Sequence, residues 1–230
     1  MKLTPRLQII ADSIKECGTL ADIGTDHAYL PIYLVKKGGI KEAIAADINK
    51  GPIEIAQGRI RANMLADKIQ TRQGNGLQVL QPHEAEVIVI AGMGGMLIAE
   101  ILEQSKAVAQ SAKQLVLQPM LDAGKLRRYL LEQGYEIFDE ELAKEDRKIY
   151  EILWVRYIGR AVESKGFLEI GPKLLEKKHP LVLTLIEKKE RELHAIKEKL
   201  DGADSEYSQK RLQECNELLN YYKEMRECLL

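Results

Sequence analysis

Two acidic residues flank a glycine near the start of the chain, in the segment Leu20–Ala28, whose sequence is LADIGTDHA. The pattern predicts a strand, a turn at Gly24 and then a helix, an arrangement in which backbone can approach a ligand closely. The turn is not GxGxxG, because Asp26 stands where a dinucleotide site has its second glycine. A carboxylate there repels a diphosphate but attracts a cation, such as the sulfonium or amino group of S-adenosylmethionine. We therefore expect Asp22, Gly24 and Asp26 to bind such a cofactor and not NAD or FAD, unless Asp26 only caps the helix.

Two further signals follow the next two predicted strands. Asp47, with Ile48 beside it, ends the second strand at close to the roughly 20 residues after Gly24 where an acid accepts both ribose hydroxyls. Asn75 and Gly76 follow the third strand, where an amide could hold a cofactor's adenine, although an ordinary Asn-Gly turn explains them equally well. Because the carboxyl ends of parallel strands meet at one edge, these residues are expected to line one cleft.

The fourth predicted strand ends in a glycine-rich turn, AGMGG. Glycines there can bring bare backbone against a flat substrate, and a methionine can cover a ring face; a tight turn with apolar packing is the alternative. We expect Gly92 and Met93 to face the cofactor. The residues expected to face the substrate are Gly94, Gly95 and, after the fifth strand, Gln118, Pro119 and Met120.

The elements that carry these residues alternate between strand and helix, which predicts a doubly wound α/β sheet. The last two strands are separated by a short polar turn, which predicts an antiparallel hairpin closing the sheet edge. The predicted strands are Leu20–Gly24, Lys41–Ile48, Ile69–Gln73, Val87–Ala91, Gln114–Leu117, Tyr135–Ala143 and Lys148–Tyr157. The predicted helices are Ala28–Lys37, Pro52–Leu65, Met96–Lys106 and Ala123–Gln133, preceded by an amphipathic N-terminal helix.

After Gly159 the hydrophobic spacing becomes purely helical, alternating between three and four residues. A polar turn at Asp201–Ser205 predicts that two helices fold back on each other as an antiparallel coiled-coil hairpin. We therefore expect two domains, a catalytic one over residues 1–159 and a helical one over residues 160–230. The helical pair could brace the fold, form a homodimer or guide a substrate.

Composition limits the classes of function. The 230 residues carry a net charge of -1, so a nucleic-acid site must be a local basic patch, and only 5% aromatic residues argues against a multi-base stacking platform. Three cysteines without a CxxC pair indicate no disulfide framework and no metal site, which suits the cytoplasm. The longest uncharged run, Val87–Ala99, is too short to span a membrane. Basic residues available for phosphate contact are Lys2, Arg6, Lys36, Lys37, Arg59, Arg61, Arg127 and Arg128.

Four segments together resemble the TrmK family of bacterial tRNA (adenine-N1)-methyltransferases, which act on the adenine at position 22 of tRNA. They are Asp22–Pro31, Ala46–Ile48, Ala91–Gly95 and Gln118–Met120. The resemblance implies a class I, Rossmann-like methyltransferase fold, S-adenosylmethionine as cofactor and tRNA as substrate. The chain lacks the Asn/Asp-Pro-Pro-aromatic signature of amino-group methyltransferases after its fourth strand, which favours a ring nitrogen over the exocyclic N6.

Methylation of N1 requires alignment more than a strong base, because N1 has its own lone pair. The base must be unpaired or flipped to reach the methyl group. Asp26 and His27 are the candidates to orient the N6 amino group or relay a proton, with Tyr29 as a stacking or hydrogen-bonding neighbour, although His27 could be purely structural. The alternatives are a methyltransferase of a small molecule or protein, and a methyltransferase-like adaptor, which would not need Asp22, Gly24 and Asp47.

Overall fold

A computed structural model of the chain describes residues 2–163, 168–200, 202 and 205–229. Within those ranges the chain forms seven strands and nine α-helices, with a 3-10 helix at Gly76–Val79. The strands are β1 (Cys17–Ile23), β2 (Ile40–Asp47), β3 (Ile69–Gln73), β4 (Val87–Met93), β5 (Gln114–Pro119), β6 (Tyr135–Glu145) and β7 (Lys148–Tyr157). The helices are α1 (Pro5–Ser13), α2 (Tyr29–Lys37), α3 (Lys50–Ala62), α4 (Gly95–Gln104), α5 (Lys106–Ser111), α6 (Ala123–Glu132), α7 (Pro172–Glu176), α8 (Val182–Leu200) and α9 (Glu206–Leu229).

The seven strands form one sheet in the order β3-β2-β1-β4-β5-β7-β6. The first five are parallel, while β7 pairs antiparallel with both β5 and β6. The structure thus confirms a doubly wound α/β sheet with an antiparallel hairpin at its edge. The order reverses at β1, and ligands of such sheets bind outside the carboxyl ends of the strands at that point.

The strands carry continuous apolar runs because both faces of the sheet are covered. Along β1, Leu20 packs into the core on one face and Ala21 into the core on the other. Along β4, Val89 packs on the same face as Leu20, and Ile88 packs on the same face as Ala21. This two-sided burial fixes the register of the central strands and thereby the positions of the turns that follow them.

Several element boundaries differ from the sequence prediction. The helix predicted over Met96–Lys106 ends at Gln104, and a separate α5 starts at Lys106, because Ser105 leaves the helical conformation with φ -135° and ψ 45°. Helix α3 begins at Lys50, two positions ahead of Pro52. The helix tolerates Pro52 in its first turn, because the N–H groups there have no intrahelical acceptor. Strand β4 continues to Met93, past the predicted end at Ala91.

The chain divides into two compact units, Met1–Ser164 and Lys165–Leu230. In the second unit α8 and α9 run antiparallel, since Lys197 contacts Asn216 at 2.6 Å while Glu190 contacts Arg226 at 3.2 Å. Leu193 of α8 and Cys215 of α9 are buried in this unit. Most of the predicted turn at Asp201–Ser205 lies outside the described residues. Across the described ranges, no helix is both long and apolar enough to cross a membrane.

Candidate functional site

The buried carboxylate of Asp22 lies near the end of β1, with two other acidic side chains nearby. Thr25 Oγ1 donates a hydrogen bond of 2.6 Å to Asp22 Oδ2. Burial raises the pKa of Asp22 to about 6, the Thr25 hydrogen bond opposes this rise, and the nearby charges of Asp26 and Asp47 add to it. Three acids predicted from two separate segments therefore lie near one another, and such a group favours a cation over an anion.

The turn after β1 is tied directly to the end of β2. The backbone N–H groups of Gly24 and Thr25 both donate to the carbonyl oxygen of Ala46 at 2.8 Å. Gly24 has a φ of +73°, and a Cβ built on it would lie 2.1 Å from Met93 Cε. The turns after β1, β2 and β4 thus meet at one place, as the sequence predicted.

Asp26, His27 and Tyr29 form a short chain of contacts at the start of α2. His27 Nε2 lies 3.1 Å from Asp26 Oδ1, and the rings of His27 and Tyr29 pack edge to face with centroids 5.8 Å apart. The guanidinium of Arg59 lies over the Tyr29 ring at 4.4 Å. The Asp26 side chain is 83% exposed, at the mouth of the site.

The conformation of this turn excludes one of the alternatives. His27 and Ala28 have φ values of 63° and 56°, so two consecutive residues other than glycine adopt the left-handed region. Ala28 is the N-cap of α2 and the helix has no side-chain cap hydrogen bond. The possibility that Asp26 only caps α2 is therefore wrong. Among the described residues, the buried His27 Nδ1 has no hydrogen-bond partner.

The residues after β2 and β3 form the second side of the site. Asp47 Oδ1 accepts the Asn49 N–H at 2.7 Å, and the Ile48 side chain beside it is 58% exposed, an apolar surface that could cover a ring. Asn75 Nδ2 reaches Gln104 Oε1 at 3.4 Å. A Cβ on Gly76, whose φ is +52°, would lie 2.9 Å from Ile101, so packing also requires this glycine.

The glycine-rich segment Ala91–Gly95 at the end of β4, together with Gln118–Met120 at the end of β5, forms what we call the rim of the site. Backbone hydrogen bonds connect its two parts. The Met120 N–H donates to the Met93 carbonyl at 2.7 Å, and the Gly95 N–H donates to the Leu121 carbonyl at 2.8 Å. A Cβ on Gly95 would lie 2.6 Å from a backbone oxygen of Asp122, whereas one on Gly94 would meet nothing within 4 Å. Gly95 therefore serves close backbone packing, and Gly94 borders open space.

The other rim residues differ in exposure. Met120 is 42% exposed, while Pro119 and Gln118 are buried. Gln118 Oε1 accepts hydrogen bonds from Gly92 N at 3.1 Å and from Arg6 Nη1 at 2.8 Å. The sequence indicates Arg6 only as a cation for phosphate contact; no local signal links it to Gln118, because the two residues are far apart in sequence.

One predicted phosphate contact is wrong. Arg127 is completely buried, with its guanidinium 2.7 Å from Glu140 and 2.6 Å from Glu151. Burial alone would lower the pKa of Arg127, but the two carboxylates outweigh burial and hold that pKa above its ordinary value. The helix face that carries Arg127 points into the core, so this side chain is not available to a phosphate.

A cavity of about 650 Å³ lies elsewhere, at the amino ends of β1, β4 and β5, and none of the site residues described above lines it. Cys17 in its wall has its pKa raised to about 11 by burial and by Glu86, so the thiol is a poor nucleophile at neutral pH. Among the described residues, no group of three or more His, Cys, Asp or Glu side chains could hold a metal ion.

A family model, a Bacillus subtilis protein and a solved structure resemble this chain over most of its length. The TrmK family model, described as tRNA (adenine(22)-N(1))-methyltransferase, matches residues 20–224. A Bacillus subtilis (strain 168) protein named tRNA (adenine(22)-N(1))-methyltransferase is 36% identical, covering 98% of this chain and 97% of that protein. The crystal structure of the B. subtilis M1A22 tRNA methyltransferase TrmK has a TM-score of 0.87 at 36% identity, covering 97% of this chain and 98% of that one.

Of two further similar structures, one contains a cofactor and the other contains the product of that cofactor. A Streptococcus pneumoniae protein solved in complex with S-adenosyl-L-methionine has a TM-score of 0.81 and 34% identity, over 95% of this chain and 100% of that one. M. capricolum TrmK in complex with S-adenosyl-homocysteine has a TM-score of 0.80 and 26% identity, over 97% of this chain and 99% of that one.

Proposed function

The chain belongs to the TrmK family of tRNA (adenine(22)-N(1))-methyltransferases, and from this we propose that it transfers a methyl group from S-adenosylmethionine to N1 of an adenine in tRNA. The observation that carries the proposal is the convergence of Asp22, Asp26 and Asp47 around the turn at Gly24. Three carboxylates suit a cofactor with a sulfonium and an amino group and exclude a diphosphate.

The cofactor-binding residues follow from chemistry and position. Asp47 is proposed to accept the ribose hydroxyls, with the exposed Ile48 against the adenine ring. Asp22 and Asp26 would attract the positive end of the cofactor, and Gly24, Gly92 and Met93 would border it. Asn75 and Gly76 complete the adenine side. S-adenosylmethionine supplies a methyl group already activated by its bond to a sulfonium.

The chemical step needs little from the protein beyond alignment. The N1–CH3 bond forms as the S–CH3 bond breaks, sulfur keeps the bonding electron pair, and the positive charge moves to the adenine ring. A carboxylate near that ring stabilises the developing charge. Asp26 at the mouth of the site is proposed for this role and, with His27, for orienting the N6 amino group; Tyr29 would contact the ring.

The rim residues divide into two roles. We assign Gly94 and Met120, which border open space, to contact with the unpaired base. Gly95, Pro119 and Gln118, which are packed against neighbouring backbone or buried, would hold the rim in shape. This division replaces the simpler expectation that all five residues touch the substrate.

The helical unit is proposed to be an antiparallel coiled coil that binds tRNA. The antiparallel contacts between α8 and α9 support the coiled-coil assignment. A folded tRNA extends far beyond the target base, and the helical unit Lys165–Leu230 is compact apart from the unit Met1–Ser164 that carries the predicted cofactor residues. A homodimer through these helices is the competing role. The proposed location is the cytoplasm, where tRNA is found.

The decisive experiment is methyl transfer from labelled cofactor into tRNA that lacks the modification, followed by nucleoside analysis under conditions that prevent base-catalysed rearrangement. We expect 1-methyladenosine. Recovery of N6-methyladenosine would contradict the ring-nitrogen target. Label in protein or small molecules but not in tRNA would favour a different substrate, and cofactor binding without transfer to any of them would favour the adaptor.

A further inference from the structure

Arg6 connects the first helix to the glycine rim of the site through one buried side chain. Its Nη1 donates to Gln118 Oε1 at 2.8 Å, and the same oxygen accepts the Gly92 N–H at 3.1 Å. Gln118 is 0% exposed, and its Nε2 donates to the Pro119 carbonyl at 2.9 Å. The amide of Gln118 therefore has one orientation, with its oxygen shared between Arg6 and Gly92.

Arg6 is itself held in place by the hairpin at the sheet edge. Its backbone N–H donates to Glu145 Oε1 at 2.8 Å, a bond that also satisfies one of the free N–H groups at the start of α1. Arg6 Nε lies 3.7 Å from Glu145 Oε2, and Arg6 Cζ lies 5.3 Å from the centre of the Tyr150 ring. These contacts fix the direction in which the guanidinium points.

The rim backbone at Gly92 is left-handed, a conformation that glycine allows, and Arg6 lies close to it. Gly92 has a φ of +81°, and a Cβ built on it would lie 3.5 Å from Arg6 Nη1. The next residue, Met93, is the one whose side chain reaches Gly24. A change at the Gly92 N–H would therefore loosen the backbone that leads to Gly94 on the substrate side, while Met93 stays held by its packing at Gly24 and by the Met120 N–H.

We propose that Arg6 is a positioning residue for methyl transfer, acting through Gln118 to hold the Gly92–Gly94 backbone in the shape that the target base meets. This inference rests on the proposed function. It differs from a phosphate contact, because the Arg6 side chain is only 25% exposed and its Nη1 already donates to Gln118.

Arginine and lysine variants separate the two roles. A lysine keeps the positive charge but lacks the planar fork that reaches Gln118 while packing on Tyr150. Positioning therefore predicts that Arg6→Lys and Arg6→Met both lower kcat about tenfold, the effect of roughly 1.4 kcal/mol in the barrier. Gln118→Leu should have a similar effect, and the double variant Arg6→Met/Gln118→Leu should be no slower than the slower single variant, because both act through Gly92.

The measurements are kcat and KM for tRNA, the dissociation constant of S-adenosylmethionine, and hydrogen exchange of the peptide containing Gly92. We expect kcat to fall, the cofactor dissociation constant to stay within about twofold and exchange at Gly92 to accelerate. Arg156→Met is the matched control, since Arg156 is 54% exposed and pairs with Glu136 at the opposite end of the same hairpin from Glu145.

Three outcomes would overturn the inference. In the first, Arg6→Lys keeps the kcat of the unmodified protein while Arg6→Met raises KM for tRNA in a salt-dependent way, as a phosphate contact predicts. In the second, melting temperature, cofactor affinity and kcat fall together, as for a purely structural residue. In the third, exchange at Gly92 is unchanged. The exchange result needs no catalysis, so it remains interpretable if the unmodified protein forms no 1-methyladenosine and the proposed function fails.

Discussion

Met93 lies directly against Gly24, at the place where a side chain on residue 24 would begin. A Cβ built on Gly24 would be 2.1 Å from Met93 Cε. Because β1 and β4 are neighbours in the sheet, the turns that follow them meet here. The left-handed φ of +73° at Gly24 adds a second, independent requirement for glycine at this position.

Gly24→Ala tests this contact against a matched control. Gly38 also has a left-handed φ, +76°, but nothing lies within 4 Å of its Cβ position. Both alanine variants should lose roughly 1–2 kcal/mol of unfolding free energy from backbone strain. Only Gly24→Ala displaces Met93, so only this variant should weaken S-adenosylmethionine binding in calorimetry. Equal cofactor affinity in the two variants would show that the Met93 contact does not shape the site.

Asp22→Asn should stabilise the free protein at neutral pH. The folded pKa of about 6 lies above the ordinary value of 3.8, so the folded state binds this proton more tightly than the unfolded state. The unfolding free energy of the unmodified protein therefore falls as pH rises from 3.8 to about 6, because Asp22 ionises. The Asp22→Asn variant has no such fall. Denaturant titrations should show little difference near pH 4 and an advantage for the variant of roughly 1–3 kcal/mol above pH 6.

The same variant should bind the cofactor less well, because the ionised Asp22 attracts a cation. In the unmodified protein, affinity for S-adenosylmethionine should rise with pH through about 6, and in Asp22→Asn this rise should disappear. A pH profile that is identical in both proteins would remove Asp22 from the cofactor site.

Asp47→Ala should weaken S-adenosylmethionine binding by roughly 1.5–3 kcal/mol, the range for hydrogen bonds to a charged group. Asp67→Ala removes an exposed carboxylate outside the site and serves as the control. Isothermal calorimetry on both variants provides the comparison. If Asp47→Ala binds as tightly as Asp67→Ala, the proposed ribose contact is wrong.

Removal of residues 165–230 should separate recognition from cofactor binding. The predicted cofactor residues all lie within the unit Met1–Ser164, so the shortened protein should bind S-adenosylmethionine nearly as the full chain does. Its tRNA affinity should fall and depend less steeply on salt, because fewer phosphate contacts remain. Circular dichroism verifies the fold. Unchanged tRNA binding and methylation would instead assign the helices to bracing or dimerisation.

Arg127→Met should be strongly destabilising, because it leaves Glu140 and Glu151 without their buried cation. Removing one partner from a buried ion pair typically costs roughly 3–5 kcal/mol. Chemical denaturation of Arg127→Met and of the exposed neighbour Arg128→Met measures the difference. Similar unfolding free energies for the two variants would show that the buried cluster contributes little.

Local pattern was sufficient for the strands and for the acids of the site. Strands β3 and β7 have the bounds that the sequence predicted, since Gly74 follows β3 directly and a polar turn precedes β7. Asp22 and Asp47 converge because register in a parallel sheet places strand ends together. Local pattern could not reveal α5, whose separation from α4 depends on the conformation of one residue, Ser105.

Long-range pairing accounts for what the sequence did not reveal. Arginine is a residue type usually found on the surface. The burial of Arg127 depends on Glu140 and Glu151, which contact it only when the hairpin is paired with the sheet. Arg6 meets Gln118 because α1 packs across the same hairpin. Neither contact has a local sequence signal, since each forms between different elements that only the tertiary fold brings together.

The hydrogen bond between Trp154 and Ser13 gives the protein an optical reporter. Trp154 is the single tryptophan of the chain, it is 5% exposed, and its indole N–H donates to Ser13 Oγ at 2.8 Å. Ser13 ends α1, the helix that carries Arg6. Detachment of α1 would expose the Trp154 indole to water and shift its fluorescence emission to longer wavelength. Intrinsic fluorescence therefore follows the docking of this helix in real time, with no label attached.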